Sequence, residues 1–591
     1  MTTTDRSGTP AEIAAERAAI EAEIAGSTLL TAYAETVEAG GDVDAHRWLE
    51  NGQWRSLTYR EVHEQVRDLA LGLGVIGFGP GEFAVIWSRN RSAATVADYA
   101  VMHARGVPVF IYNTVTAEQA AYIAGHCEAS VAIVEREFLG KLTSVWDQLP
   151  KLRQIILIDG DADNAIGWPQ LLGLGHAEAQ RSPGLFEETW RQVTPDDLVT
   201  LIYTSGTTGQ PKAVMITHRN ARYYQLATLK VIPLEQQSDE DGNARLISYL
   251  PMAHVTGRSV DHWGAMARPI SLSYCPDALK LFEVAAQVHP TALIGIPRVW
   301  EKLYAALRNA LPDVSPAAVR AMPDEMRQGV LTFIGLDRCR IATSGAAPID
   351  PAILEFFQAL GLPLTEGWGM SELSNAATLA PPGQSRNGAV GRAFPGIELR
   401  IADDGEVLVR GPLVMAGYYK DAGRTAEALD GDGWMHTGDI GELDADGYLK
   451  ITDRKKELII TSGGKNVSPA LIEYELQRHP MIGQACAVGD RRNYVTALLV
   501  LDPEAAPAWA RAQGIEAATL AELAVDPRVL AEVERGVAEA NSHLARVEQV
   551  RRFRLLPNEW TAETGELTPT MKRRRRVIVD RYAQEIDQLY E

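Results

Sequence analysis

Cysteine is scarce in this sequence, long apolar runs are missing, and positive charge is outnumbered. The 591 residues include four cysteines, Cys127, Cys275, Cys339 and Cys486, far apart and without a C-x-x-C pair. That spacing argues against a compact zinc site and against a disulfide framework. None of the 12 histidines stands in an H-E-x-x-H arrangement. No stretch reaches the roughly eighteen apolar residues needed to span a bilayer. The polar, Ala/Glu-rich start over 1–23 has no apolar core of a signal peptide. The expected location is therefore cytoplasmic, with at most peripheral contact at the inner face of a membrane. With 57 Lys and Arg against 77 Asp and Glu, the formal net charge is −20. Such a charge favours solubility and disfavours nonspecific binding to nucleic acid. The basic run 572–576 stands apart, but it has no interleaved aromatics, and its four arginines, 573–576, read as a solvated helix start.

What is present is a globular composition, 46% hydrophobic and 23% charged, on a chain too long for a single core. Residues 1–26 read as a leader, mobile or lying on the surface as a helix. Apolar strand-like runs at 83–87, 107–111 and 131–134 then alternate with amphipathic stretches at 93–104 and 116–126. The same texture returns at 198–203, 293–296 and 340–343. Alternation of this kind predicts an α/β domain of parallel sheets covered by helices. From about 396 to 453, short strands between Gly and Asp turns predict a small antiparallel or barrel-like subdomain. The charged stretch 453–457 reads as a linker. Beyond it, strands at 485–488 and 495–501 and helical segments over 505–544 predict a small α+β C-terminal domain.

The most informative segment is Tyr203-Thr-Ser-Gly-Thr-Thr-Gly-Gln-Pro-Lys212, directly after an apolar strand. Gly206 and Gly209 let the backbone turn tightly and bring N–H groups to an anion. Thr204, Ser205, Thr207 and Thr208 add hydroxyl donors, and Lys212 adds a positive charge. A solvated Ser/Thr/Gly loop is the plain alternative, and the density of donors after a buried strand weighs against it. The P-loop of nucleotide triphosphatases needs lysine directly after the last glycine and then Ser or Thr. Here Gln210 and Pro211 intervene and Ala213 follows the lysine, so that reading fails.

This segment resembles the phosphate-binding signature of the adenylate-forming superfamily, and further matches follow in order across nearly the whole chain. The resemblance implies ATP and Mg²⁺ as cofactors, an acyl-adenylate intermediate, and a large N-terminal domain (27–455) followed by a mobile C-terminal one (456–591). Gly345 and Ala346, in Ser344-Gly-Ala-Ala-Pro348, are then the adenine-side loop. In Glu366-Gly-Trp-Gly-Met-Ser-Glu372, Trp368 is implied to pack on adenine with Gly369 beside it. Ser371 would meet phosphate, and Glu372, with Thr204, would hold the metal. A single carboxylate is enough for Mg²⁺ when phosphate oxygens complete the shell. Asp439 in Trp434-Met-His-Thr-Gly-Asp439 is implied to bind the ribose hydroxyls and Arg454 to reach ribose or phosphate. Lys456 takes the hinge position. Gly463, Gly464 and Lys465 belong to the loop implied to line the pantetheine tunnel of coenzyme A. Lys572 is the implied catalytic lysine, joined by Glu372, Thr204 and His254 as catalytic residues. Trp368 departs from the family, which often has Tyr there.

The acceptor and the acid are read from finer resemblance. Glu591 follows soon after the lysine motif, which favours a stand-alone ligase using coenzyme A over one fused to a carrier or reductase domain. The segment Tyr249-Leu-Pro-Met-Ala-His254 is similar to that of long-chain and bubblegum-type acyl-CoA synthetases, implying a long-chain fatty acid. The alternatives are loading of an acyl carrier protein, ligation of another hydrophobic or aryl acid, a nucleotide sensor without turnover, and a fatty-acid carrier at a membrane. No nucleic-acid partner is expected.

Overall fold

The computed structural model describes residues 9–204, 210–233, 238, 242, 244–311, 315–462, 465–516, 519–568 and 572–591. Helix α1, Pro10–Glu23, begins with a capping box in which the Thr9 side chain accepts from Glu12 N and Glu12 reaches back to the Thr9 backbone. Of the two readings of 1–26, it is the helix that the structure shows, from Pro10 to Glu23. Ile20 is fully buried, and Arg17 ion-pairs with Glu398 at 2.6 Å while donating to the Gly396 carbonyl at 2.9 Å. From Pro10 on, the segment is an integral helix docked on the distant 396–398 turn.

A parallel sheet comes next, built from β1 Phe83–Trp87, β2 Val107–Phe110, β3 Val131–Val134, β4 Gln154–Leu157 and β5 Ile166–Gly167 in the order β2-β1-β3-β4-β5. Strands β1, β2 and β3 are buried along their whole length, which is why they read as unbroken apolar runs. The crossover helices α2 (Ser92–His103) and α3 (Ala117–His126) lie within a residue or two of the stretches the periodicity predicts. The hairpin β6 Leu198–Thr204 and β7 Lys212–Thr217 pairs Thr204 with Lys212 across the mouth of the Ser/Thr/Gly loop. Helix α4, His218–Val231, follows with its own capping box at Thr217.

A second sheet runs β8 Ala292–Gly295, β9 Ile341–Ser344, β10 Leu364–Met370, β11 Asn375–Leu379 and β12 Arg392–Ala393. Its first three strands are parallel and the rest antiparallel. Helix α5, Pro297–Ala310, leaves β8. The β10–β11 hairpin is possible only because Gly369 has no side chain, since a Cβ there would lie 1.9 Å from the Asn375 carbonyl oxygen.

The small subdomain is a four-stranded antiparallel sheet of β13 Glu398–Ile401, β14 Glu406–Arg410, β16 Met435–Leu443 and β17 Leu449–Arg454. Between its strands, β15 Gly417–Tyr418 leaves the sheet and pairs with β7 instead. The C-terminal part packs α6 (Pro469–Gln477) and α7 (Pro527–His543) on a sheet of β18 Ile482–Val488, β19 Val495–Leu501 and β20 Val550–Leu556. The arginine run does start a helix, at Arg575, but only Arg576 of its four arginines is exposed. Arg573 and Arg575 both ion-pair with the buried Glu473, at 2.9 and 2.6 Å, and Arg575 also donates to the Ala487 carbonyl. Among the described residues, no helix is long and apolar enough to cross a membrane.

Candidate active site

Strands β6, β7, β9, β10 and β15 and the turn after β17 converge on a cavity of about 880 Å³, with Lys572 of the C-terminal part closing one side. Thr204, Lys212, Gly345, Ala346, Trp368, Gly369, Ser371, Glu372, His254, Arg454, Lys456 and Lys572 all line it, so segments far apart in sequence meet in one place. Ser205, Gly206, Thr207, Thr208 and Gly209, and likewise Gly463 and Gly464, lie outside the described residues. Lys465 does not line the cavity. It is exposed, and its backbone N–H donates to Thr461 Oγ1 at 3.2 Å.

One side of the cavity is built on β6, β7, β10 and β15. Thr204 Oγ1 is buried without a hydrogen-bond partner among the described residues. An orphaned hydroxyl at a cavity wall fits a site whose partner is a ligand oxygen or a metal. Glu372 is 5% exposed, and its Oε1 accepts from the Tyr418 hydroxyl at 2.7 Å. Lys212 Nζ in turn donates to that same hydroxyl oxygen at 3.0 Å and lies 4.2 Å from the centre of the Tyr418 ring. Burial draws the Lys212 pKa down, opposed by the Glu372 charge and assisted by Lys456 and Arg424. Tyr418 is raised by burial and by Glu372, so its hydroxyl stays protonated. The sequence reading missed Tyr418, whose place depends on the pairing of β15 with β7. Among the described residues no three His, Cys, Asp or Glu side chains form a metal cluster, so a Mg²⁺ held by Glu372 needs phosphate and water oxygens as well.

Asp439 is buried behind the lining residues Trp368 and Arg454 and does not itself line the cavity. The Trp368 indole N–H donates to Asp439 Oδ2 at 2.8 Å, and Arg454 Nε pairs with Oδ1 at 2.9 Å. Strand pairing explains the second contact, since Asp439 and Arg454 stand opposite each other on β16 and β17. Trp368 therefore orients Asp439 besides presenting its ring to the cavity. Ala346 sits at φ +70°, a left-handed conformation unfavourable for a residue with a side chain, at the loop leaving β9.

His254 and Lys572 also line the cavity. His254 Nδ1 accepts from Thr256 N at 3.2 Å, which caps the short helix and leaves the imidazole neutral with its proton on Nε2. Burial, with the nearby Lys572 charge, pushes the His254 pKa down to about 4. Lys572 is held by a turn in which its N–H donates to Thr568 Oγ1 and its carbonyl accepts from Thr568 N. Lys572 keeps accessible surface toward the cavity even though protein surrounds it, and burial followed by the Arg454 charge lowers its pKa. The segment after His254 is anchored by Arg258, fully buried and paired with Asp98 of α2 at 2.7 Å. Asp98 also accepts a 2.7 Å bond from His262 Nδ1.

The wall beside α4 mixes apolar side chains with the polar Gln225, Ser259 and Arg268. Tyr224, Thr228 and Ile232 line the cavity at intervals of four, so it follows one face along and just past α4. Eight residues of helix correspond to about 12 Å. Val260, Ile294, Ile341, Leu379 and Phe394 add apolar surface to the walls. A channel of this kind suits a hydrocarbon chain.

Comparison with known proteins agrees with this geometry. The AMP-binding enzyme family matches residues 33–419, and the AMP-binding enzyme C-terminal domain matches residues 456–591. The chain is 35% identical to the long-chain-fatty-acid–CoA ligase FadD15 of Mycobacterium tuberculosis, over 93% of this chain and 94% of the relative. It is 32% identical to the long-chain-fatty-acid–CoA ligase ACSBG2 of Xenopus laevis, over 95% of this chain and 84% of the relative. The fold is shared with the A domain of a carboxylic acid reductase from Segniliparus rugosus, solved with AMP and a co-purified carboxylic acid. That match has a TM-score of 0.74 at 20% identity, covering 99% of this chain and 98% of the other. The chain belongs to the AMP-binding enzyme family.

Proposed function

We propose that this protein is an ATP-dependent ligase that activates a long-chain fatty acid as acyl-AMP and transfers the acyl group to coenzyme A. The observation that carries the reading is the continuity of one cavity. The polar Thr204, Lys212 and Glu372, then His254 and Lys572, and apolar side chains beside α4 such as Ile232, Val260 and Phe394 all line the same cavity. Between the polar and apolar surfaces, a carboxylate at the head of a hydrocarbon chain meets the α-phosphorus of ATP. There the carboxylate oxygen forms a bond to phosphorus and pyrophosphate leaves. In the second half-reaction a thiol attacks the acyl carbonyl and AMP departs.

The residues have separable tasks. Lys572 supplies positive charge between the carboxylate and the phosphate, where negative charge builds up. Lys212 places a second cation at the phosphates, and its lowered pKa reflects how little water it shares. Neutral His254 can donate from Nε2 without repelling Lys572. Asp439, oriented by Trp368 and Arg454, can accept from ribose hydroxyls. Glu372 and Thr204 would hold Mg²⁺, which when bound supplies neutralising charge to the phosphate oxygens. Most of the acceleration expected here is positioning and charge neutralisation.

The test is a panel of carboxylic acids of graded chain length, plus aryl acids, assayed for AMP formation with and without coenzyme A. Sustained AMP release that requires both a long-chain acid and coenzyme A is the expected result. AMP release that favours an acyl carrier protein, or an aryl acid, would replace the acceptor or the substrate in this reading.

A further inference from the structure

Tyr418 stands between the two opposite charges at one side of the cavity. Its hydroxyl donates to Glu372 Oε1 at 2.7 Å and accepts from Lys212 Nζ at 3.0 Å, so ammonium, phenol and carboxylate form a directed chain. The position is built from several sides. Strand β15 is fixed to β7, with Tyr418 opposite Val214, two residues from Lys212. Gly417 takes φ +137°, which few residues with a side chain tolerate, and its absent Cβ would lie 2.9 Å from Thr425 Cγ2. Tyr418 N donates to Thr425 Oγ1 at 2.9 Å. Glu372 is fixed on its own side, since its carbonyl accepts from Met415 N at 2.8 Å.

A lysine and a glutamate facing each other in a partly dry site attract strongly. Left alone they would close into a direct ion pair, which an incoming metal and triphosphate would then have to break. A neutral hydroxyl that bonds both ends removes that problem. It satisfies one carboxylate oxygen, holds the ammonium over its ring, and keeps the two charges one hydroxyl apart.

We propose that Tyr418 is a positioning residue for adenylation, a spacer that stops Lys212 and Glu372 from neutralising each other and so keeps Glu372 ready for a divalent cation. The inference rests on the ligase reading, because it takes the metal to be brought in with ATP.

The Tyr418→Phe variant isolates the hydroxyl, because the ring that carries Lys212 remains. The probe is α,β-methylene-ATP, which resists release of pyrophosphate, titrated by calorimetry against the full chain at a series of Mg²⁺ concentrations. Tyr418→Phe should raise the Mg²⁺ concentration that half-saturates analogue binding by about tenfold, the scale of one hydrogen bond to a charged group. Excess Mg²⁺ should restore wild-type affinity, because metal can outcompete the new ion pair. In a Glu372→Gln background, where no ion pair can form, adding Tyr418→Phe should change the Mg²⁺ dependence no further. If the Phe variant melts early, 4-fluorophenylalanine at position 418 fills the hydroxyl's space without donating and serves the same comparison. An unchanged Mg²⁺ requirement, a loss of affinity at every Mg²⁺ concentration, or full additivity with Glu372→Gln would each overturn the proposal. A wild-type chain that failed to bind the analogue at all would overturn the ligase reading and this inference together. Wild-type binding with an unaltered Phe variant would overturn this inference alone.

Discussion

The Trp368 indole N–H and Asp439 Oδ2 lie 2.8 Å apart, 71 residues distant in sequence, and this bond ties the cavity wall at β10 to the carboxylate on β16. Asp439 has its other oxygen on Arg454, so both of its oxygens are already engaged by protein. Trp368→Phe keeps an aromatic wall but leaves a buried carboxylate oxygen without its donor. The expected cost is about 1–3 kcal/mol of stability, together with an apparent KM for ATP raised roughly tenfold. Melting curves and ATP-dependent initial rates check both. A wild-type KM for ATP would mean that Asp439 does not depend on Trp368 to meet the nucleotide.

How much of this was legible beforehand depends on the range of the interaction. Strands β1 to β3 are buried on both faces and announced themselves as apolar runs, and the loop before Lys212 announced an anion by its donors. Contacts that join remote segments left no local trace. Arg17 meets Glu398 across 381 positions, which turns an Ala/Glu-rich start into a docked helix. Tyr418 reaches Lys212 only because β15 abandons its neighbours in sequence to pair with β7. The pairing of the arginines at 573–576 was hidden for the same reason, since Glu473, the partner of Arg573 and Arg575, lies about a hundred residues upstream. Lys465 was assigned to a loop that rotation of the C-terminal domain is expected to bring to the site, and it does not line the cavity here.

The fold should lose stability in mild acid. Burial holds the pKa of His46 and His103 down to about 3, and those of His218 and His254 to about 4. In the unfolded chain these imidazoles take up protons near pH 6.5. Between about pH 6.5 and 4 the unfolded state therefore binds more protons than the folded one. Stability is full above that window and falls as pH drops through it. Melting temperatures from pH 8 to 5 should decline steadily below about 6.5. His46→Gln should flatten part of the decline, and a flat profile in both proteins would contradict the assignment.

Lys572 carries the most specific catalytic expectation. Removing one preorganised charge beside a developing anion commonly costs ~10²–10³ in rate. Lys572→Ala should therefore depress acid-dependent pyrophosphate exchange by about that factor, with little change in melting temperature because the side chain lines a cavity. Thioester formation from ready-made acyl-AMP should suffer far less. Equal damage to both half-reactions would contradict a role confined to adenylation.

The contact between the two main parts of the chain includes few ion pairs. Arg298 on α5 meets Asp502, just after β19, at 3.3 Å, and Lys302 approaches Glu504 at 4.0 Å. Arg298 is half exposed, so its pair with the buried Asp502 contributes roughly 0–1 kcal/mol. Arg298→Ala should therefore change pyrophosphate exchange by no more than about fivefold. Lys456→Pro acts on the turn itself, fixing φ near roughly −65°. It should leave the chain folded while separating the half-reactions, with pyrophosphate exchange retained and acyl-CoA synthesis reduced by orders of magnitude. Synthesis at the wild-type rate in the proline variant would show that no rotation at Lys456 is required.

The central claim is that a fatty carboxylate attacks the α-phosphorus of ATP inside the cavity that joins Lys212 and Glu372 to the channel along α4. Palmitate labelled with ¹⁸O in its carboxylate tests this directly, by mass spectrometry of the nucleotide and pyrophosphate after turnover with coenzyme A. Attack at the α-phosphorus predicts that each AMP carries one labelled oxygen and that pyrophosphate carries none. Label in orthophosphate with ADP as the nucleotide product, or AMP without label, would contradict the account.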